Sequence, residues 1–262
     1  MPVIQSNSCP LYVEVEGPER APAIMLCNSL GTTLKMWDAQ VKPFSREFRV
    51  VRYDRRGHGK SGVSTGPYNM AMLGQDALAI MDALDLKTVN WCGLSMGGMV
   101  GQWLGANAPD RIERLILANT HYYYPGKDFW NDRIKAVSAK GLAPLVGPNM
   151  ERWFTKEFRE REPDTIARMT EMFLSTPVEG YVACCAAVRD MDHSALLPKI
   201  RAPTLVIAGR QDNATPIEAA EYIRSHIPGA ALTLVDAAHI SNVEQAADFT
   251  AEVLGFVAQP RR

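Results

Sequence analysis

An apolar run, Thr88-Val89-Asn90-Trp91-Cys92, leads into Gly93-Leu94-Ser95-Met96-Gly97, and a stretch with helical spacing, Gly98 to Ala108, follows at once. A chain that passes from strand to helix through a single serine must turn sharply there. The serine takes strained dihedrals, and a bulky residue two positions away on either side would clash, so glycine belongs at 93 and 97. The turn lifts the Ser95 hydroxyl clear of the strand end and aims the N-terminus of the next helix at it. The pentapeptide is informative because of what flanks it. Without the strand before it and the helix after it, it would be an ordinary glycine-rich turn.

The rest of the chain repeats this rhythm. Ala23 to Cys27 and Phe48 to Tyr53 read as strands, as do Leu115 to Ala118, Thr204 to Ala208 and Leu232 to Val235. Continuous apolar runs of this length suit strands covered on both faces. Between them, Leu73, Ala77, Ile80, Met81 and Leu84 recur at helical spacing, and Asn242 to Val257 carries Ala246, Phe249, Val253 and Val257 on one face. Alternating strands and helices predict an α/β fold with a mainly parallel sheet and helices on both sides. From about Tyr122 to Leu197 the alternation stops and only helical segments appear. Because the rhythm resumes afterwards, we expect a core formed by residues 1–121 and 198–262 and a helical cap over residues 122–197. Thr176-Pro177-Val178-Glu179 and Thr215-Pro216-Ile217-Glu218 carry the same helix-start chemistry: threonine as cap, proline at the first helical position, glutamate reaching back.

The 262 residues, 47% of them hydrophobic, suffice for one sizeable core, and a net charge of -1 without long single-sign runs speaks against a nucleic-acid or anionic-membrane surface. The start, Met1-Pro2-Val3-Ile4-Gln5-Ser6, lacks the basic-then-apolar pattern of a signal peptide, and no apolar stretch has the length of a membrane span. The five cysteines are odd in number and form no C-x-x-C pair, and Cys27 and Cys92 lie inside apolar strands. We therefore expect no disulfide framework, no metal site, no cofactor and a cytoplasmic location.

In such sheets ligands bind beyond the carboxyl ends of the strands. A serine hydroxyl needs a base within hydrogen-bond reach to act as a nucleophile. Of the five histidines only His239 follows the last predicted strand. His58, in Arg56-Gly57-His58-Gly59, reads as a structural turn histidine. His193 and His226 read as surface residues, and His121, after a strand, is placed to line a pocket. Asp212 follows the preceding strand and can orient and stabilise the imidazolium, and the order Ser, Asp, His is the one this architecture uses. A helix-capping or turn role is the alternative for Asp212. Two backbone amides must meet the oxyanion that forms on an attacked carbonyl: that of Met96, and one from Asn28-Ser29-Leu30-Gly31, for which Leu30 is the candidate.

These motifs together resemble the 3-oxoadipate enol-lactonases, α/β-hydrolases of aromatic-acid catabolism. The likeness runs through Asn28-Ser29-Leu30-Gly31-Thr32, Met36-Trp37, Arg52-Tyr53-Asp54, the Arg56-Gly57-His58-Gly59 turn, Gly93 to Gly98, Gly101-Gln102-Trp103-Leu104 and Asn119-Thr120. It continues through Trp130 with Arg133, Trp153-Phe154-Thr155, Gly180-Tyr181, Cys185 to Asp190 and Ala237 to Asn242. The resemblance implies an α/β-hydrolase fold with a helical cap, a Ser95–His239–Asp212 triad, and opening of a small lactone that carries a carboxylate. Arg133 is then the candidate partner of that carboxylate, with Trp130 as pocket wall and indole donor. A solvated cap arginine is the alternative reading of Arg133. Arg189 could take the role instead, unless it pairs with Asp190 or Asp192. The sequence departs from the family at His121-Tyr122-Tyr123-Tyr124, where small residues are expected. A carboxylesterase, a carbon–carbon bond hydrolase of ring-fission products and a slow-turnover receptor could use the same three side chains. Oligomeric state is not legible in the sequence.

Overall fold

A computed structural model describes residues 3–259. Met1 and Pro2 at the head of the expected core, and residues 260–262 at its end, lie outside the described residues. The chain begins with a hairpin, β1 (Val3–Ser6) and β2 (Cys9–Glu16), followed by β3 (Ala23–Cys27), α1 (Asp38–Phe44), β4 (Arg49–Tyr53), α2 (Met70–Ala83), β5 (Val89–Leu94), α3 (Met96–Asn107) and β6 (Ile112–Ala118). Helices α4 (Asp128–Lys140), α5 (Val146–Trp153), α6 (Lys156–Arg161), α7 (Pro163–Leu174) and α8 (Val178–Arg189) come next. The alternation then returns with β7 (Thr204–Gly209), α9 (Ile217–His226), β8 (Ala231–Val235), α10 (Ser241–Glu244) and α11 (Ala246–Val257).

The eight strands form one sheet in the order β1-β2-β4-β3-β5-β6-β7-β8. From β4 to β8 every pairing is parallel, and β1 and β2 are antiparallel additions at one edge. The α/β expectation therefore holds, and the hairpin is what it missed. β2 buries Cys9, Leu11 and Val13 while Tyr12 and Glu14 are only half-buried, so it shows two-residue alternation instead of an apolar block. The interior strands β3, β5 and β7 are buried at every position, as their uniform apolar runs require.

Three local readings need correction. Helix α3 begins at Met96, not Gly98, so Ser95 itself is its first flanking residue and the turn is tighter than the spacing suggested. The last helix is two: Gln245, at φ -121° and ψ 55°, breaks α10 from α11. The two Thr-Pro-x-Glu segments do start helices, but one residue late, with Pro177 and Pro216 as the flanking residues and no side-chain cap. Each threonine thus stands one position too far from the first free amides. Thr176 Oγ1 is buried with no hydrogen-bond partner among the described residues, and Thr215 has turned to another task.

The helices between β6 and β7 sit over the carboxyl ends of the strands. Their two ends are clasped together. The His193 amide donates to the Tyr122 carbonyl at 2.9 Å, and Tyr123 bridges Asp192. Gln102 of α3 links both ends, its Nε2 donating to the His121 carbonyl at 3.1 Å and its Oε1 lying 3.1 Å from His193 Nδ1. At the other side, α8 rests directly on the Arg56-Gly57-His58-Gly59 turn, where a Cβ on either Gly57 or Gly180 would run into the other's backbone.

Candidate active site

β5 ends at Leu94 and α3 starts at Met96, so Ser95 alone makes the turn, at φ 58° and ψ -116°. That left-handed, non-glycine backbone is costly and must be held from outside. Four contacts hold it: the Ser95 amide donates to the Ala118 carbonyl at 2.8 Å, and the Ser95 carbonyl accepts from the Gly98 amide at 2.9 Å, the Met99 amide at 3.1 Å and Thr120 Oγ1 at 2.7 Å. A Cβ on Gly93 would strike the Gly97 carbonyl, and one on Gly97 would strike the Cys27 carbonyl, which is the steric reason for both glycines.

Loops after three different strands bring the other groups to Ser95. His239 Nε2 lies 2.9 Å from Ser95 Oγ, and His239 Nδ1 lies 2.8 Å from Asp212 Oδ2. Since the carboxylate only accepts, Nδ1 carries the proton and Nε2 presents its lone pair to the serine hydroxyl. Asp212 is almost wholly buried, and burial by itself raises its pKa. The neighbouring His239, with hydrogen bonds from His239, Thr215 and Asn119, outweighs burial and holds the carboxyl down at about 2. Asp212 accepts from Thr215 Oγ1 at 2.5 Å and Asn119 Nδ2 at 2.9 Å, and its Oδ1 accepts from the Ala214 and Thr215 amides at 2.8 and 3.0 Å. Asn119 also donates to the Ala238 carbonyl at 3.1 Å and accepts from Ser241 Oγ at 2.5 Å, so it pins the backbone before His239 as well.

Opposite the elbow runs the loop after β3. The Ser29 amide donates to Met36 Sδ at 3.3 Å and the Gly31 amide to His58 Nε2 at 3.0 Å. The Leu30 amide between them has no acceptor among the described residues. The Met96 amide, first in α3, likewise has no intrahelical acceptor. His58 is fully buried. Burial, then the Arg55 charge, push its pKa down to about 3, so it stays neutral and can accept from Gly31. Arg55 Nη2 donates to the Asn28 carbonyl, and Trp37 Nε1 to Asn28 Oδ1 at 3.0 Å, fixing the start of the same loop.

Ser95, His239, Ser29 and Leu30 form the floor of a cavity of about 280 Å³, and α4, α5 and α8 supply its roof through Trp130, Arg133, Asn149, Arg152, Trp153 and Tyr181. The roof is rich in donors that lack acceptors. Trp130 Nε1 and Asn149 Nδ2 are buried without a partner among the described residues. Arg133 is braced, its Nε donating to Tyr181 Oη at 2.8 Å and its Nη2 to Asn149 Oδ1 at 2.6 Å. Arg152 makes no hydrogen bond or ion pair among the described residues and lies over the Phe129 ring, 5.2 Å from its centroid. Burial and then repulsion from Arg133 lower its pKa. Neither guanidinium pairs with a carboxylate among the described residues.

The residues expected at the site, Ser95, His239, Asp212, Leu30, Met96, Trp130 and Arg133, therefore come together around one cavity or at its floor. Others do not join them. His193, expected on the surface, is 4% exposed and clasps the ends of the helical segment, and burial takes its pKa down to about 4. His121 is turned aside, its Nδ1 accepting from the Tyr122 and Tyr123 amides at 3.1 and 3.3 Å, and Tyr124 alone of the His121–Tyr124 run reaches the cavity. Arg189 is taken up by Asp190, at 2.6 Å, and by Asn131, at 3.1 Å. Sequence reasoning missed Thr215 and Arg152, and gave Asn119 and Asn149 no role at the site. Among the described residues no three His, Cys, Asp or Glu side chains cluster as a metal site would need, and no helix is long and apolar enough to cross a membrane.

Comparison with known proteins adds four likenesses. The alpha/beta hydrolase fold family matches residues 22–246. 3-oxoadipate enol-lactonase 1 of Acinetobacter baylyi is 39% identical over 247 residues, which cover 94% of this chain and 92% of that protein. 3-oxoadipate enol-lactonase 2 of the same organism is 38% identical over 229 residues, 87% of this chain and 86% of that one. Among solved structures, the enol-lactonase from Burkholderia xenovorans LB400 superposes with a TM-score of 0.96 at 39% identity, covering 98% of this chain and 99% of that chain.

Proposed function

The chain belongs to the 3-oxoadipate enol-lactonase family of α/β-hydrolases, and from that premise we propose that it opens 3-oxoadipate enol-lactone to 3-oxoadipate through an acyl-enzyme on Ser95. The observation that carries this reading is the pairing of two features in one small cavity. A hydroxyl–imidazole–carboxylate line stands at the floor, and two guanidiniums without carboxylate partners stand at the roof. The floor suits attack on a carbonyl, and the roof suits a substrate that brings a carboxylate with it. A cavity of about 280 Å³ also fits a six-carbon lactone better than a long-chain ester.

The steps follow from the atoms present. Ser95 Oγ attacks the lactone carbonyl while His239 Nε2 takes its proton, and Asp212 stabilises the imidazolium. The carbonyl oxygen becomes an oxyanion facing the Met96 and Leu30 amides. Collapse breaks the ring C–O bond. The ring oxygen leaves as an enol, protonated by His239, and the enol relaxes to the ketone while still tethered through the Ser95 ester. His239 then deprotonates a water, which attacks the same carbonyl and releases a dicarboxylate. Arg133, Arg152, Trp130 Nε1 and Asn149 Nδ2 hold the acid arm throughout. The reading carries with it a role in the catabolism of aromatic acids, and the five cysteines, all buried and free of disulfides, are in keeping with a reducing, cytoplasmic setting.

The test is an assay of the purified protein on the enol-lactone generated in situ, with identification of the product and Ser95→Ala alongside. Repeated turnover faster than about one per second, with loss of turnover in Ser95→Ala, is the expected result. Cleavage of neutral aryl esters without opening of the lactone would reassign the site to an esterase. Undiminished hydrolysis by Ser95→Ala would remove that serine from the chemistry.

A further inference from the structure

The two residues that flank His239 are both tied to the segment where α5 ends and α6 begins. The Ile240 amide donates to the Trp153 carbonyl at 3.0 Å. The Ala238 amide donates to Glu244 Oε2 at 2.9 Å. The other oxygen of that carboxylate, Oε1, accepts from the Thr155 amide at 3.1 Å and from the Thr155 hydroxyl. Glu244 is 6% exposed and ends the short helix α10. Its carboxylate meets three donors and makes no ion pair among the described residues. It does not line the reaction cavity, so it cannot act on the substrate directly.

α5 has a second job. Asn149 and Arg152 on it, and Trp153 at its end, form part of the cavity roof. Eight residues therefore carry both the groups that face the acid arm and the backbone from which the imidazole loop is suspended. Displacement of α5 relative to the core passes to His239 on one side directly, from the Trp153 carbonyl to Ile240, and on the other through Thr155, the cap of α6 two residues past the end of α5, and the Glu244 carboxylate to Ala238. The His239–Ser95 contact is 2.9 Å, and general-base transfer is lost steeply once such a contact opens, about a hundredfold for 1 Å of misplacement.

We infer that Glu244 is a positioning residue that couples recognition of the substrate's acid arm by α5 to the placement of His239 against Ser95. An acid arm drawn to Arg152 and Asn149 seats α5. The Glu244 carboxylate and the Trp153 carbonyl carry that seating to the backbone on either side of the imidazole. A substrate without the acid arm leaves the link unused, so the enzyme selects for the acid in kcat as well as in KM. This inference rests on the Ser95–His239 reading and on recognition of a carboxylate at the roof.

The test compares kcat and KM of Glu244→Gln, Glu244→Ala and Thr155→Val on the acidic enol-lactone and on neutral p-nitrophenyl acetate, with Arg152→Ala completing a double-mutant cycle. A glutamine can accept on one side only. Its NH₂ must face either the Ala238 amide or the Thr155 amide, so in either orientation one of these backbone donors loses its acceptor while volume is kept. For Glu244→Gln we expect kcat on the lactone to fall about 10- to 100-fold with KM changed less than about threefold, and kcat on the neutral ester to fall less than about threefold. Thr155→Val, which keeps the backbone amide, should show the same pattern at about 3- to 10-fold and guards against failure of Glu244→Ala to fold. The losses of Arg152→Ala and Glu244→Gln in kcat should be less than multiplicative. Equal losses on both substrates, or multiplicative losses in the cycle, would mean that Glu244 is only a brace and would overturn the inference. Ser95→Ala separates the two levels: turnover surviving there defeats the triad reading itself, whereas a dead Ser95→Ala beside wild-type-like Glu244 variants defeats the coupling alone.

Discussion

His58 never approaches the substrate, yet its replacement should cost the enzyme most of its rate. Its Nε2 is the acceptor for the Gly31 amide at 3.0 Å, and Gly31, at φ +76°, follows Leu30, whose amide we propose as an oxyanion donor. His58→Leu keeps apolar volume and removes the acceptor. The Gly31 N–H is then buried without a partner, at a stability cost of about 1–3 kcal/mol. A loop freed to seek another acceptor moves the Leu30 amide. The upper limit of the damage is full loss of one oxyanion donor, about 10²- to 10³-fold in kcat or ~2.7–4 kcal/mol, and a shift near 1 Å reaches the lower part of that range. We therefore expect kcat to drop by about a hundredfold, with KM nearly unchanged because the acid arm binds elsewhere. Affinity for a boronic acid carrying the same acid arm, which presents a tetrahedral anion to the amides, should fall by a similar factor. His58→Gln, whose Oε1 can accept in place of the ring nitrogen, should recover most of the loss. A folded His58→Leu enzyme with wild-type kcat, or one whose defect lies entirely in KM, would refute the reasoning.

The other expectations follow from contacts equally specific. Arg152→Gln should lower kcat/KM on the acidic lactone about 10- to 100-fold, leave neutral esters within about threefold, and cost less than about 0.5 kcal/mol of stability, because Arg152 has no hydrogen bond to lose among the described residues. Arg133→Gln should match it in charge selectivity but lose about 1–2 kcal/mol in denaturation, since the Tyr181 and Asn149 bonds go with it. Thr215→Val removes one donor from Asp212 and should raise that carboxyl's pKa and lower kcat several-fold, read from the pH profile and steady-state rates. Asp212 itself sits at about 2, below the ordinary 3.8, so its ionised form favours the folded state. That contribution, roughly 2 kcal/mol, is complete above pH 4 and disappears as pH falls through about 2. Denaturant titrations between pH 5 and pH 2 should show this slope in the wild type and not in Asp212→Asn, and an identical slope in both would count against the assignment.

What could be read from the sequence was whatever the neighbouring residues determine. A strand announces its end, and Ser95, Asp212 and His239 each stand just past one, so the parallel sheet that brings strand ends together also brought these three within hydrogen-bond reach. The hairpin β1–β2 was harder, since a half-exposed edge shows alternation over too few residues to stand out. The supporting polar groups were harder still, because the partner that defines each lies far along the chain: Asn119 meets Asp212, Thr155 meets Glu244, and His58 meets Gly31. Thr176 and Thr215 make the point sharply. Both precede Pro-x-Glu at the start of a helix, and the same four-residue pattern predicted the same cap for both. The late helix start left both hydroxyls without the predicted role. In the loop after β7, Asp212 was three residues away and took up Thr215. At the start of α8, Thr176 Oγ1 stayed without a hydrogen-bond partner among the described residues. Local spacing therefore places a helix start to within a residue or two, while the chemistry of a side chain at that boundary is decided by what the tertiary fold sets opposite it. For the same reason, replacing Thr215 should alter catalysis, whereas Thr176→Val, which removes a buried hydroxyl that has no partner, should leave activity unchanged and stability equal or higher.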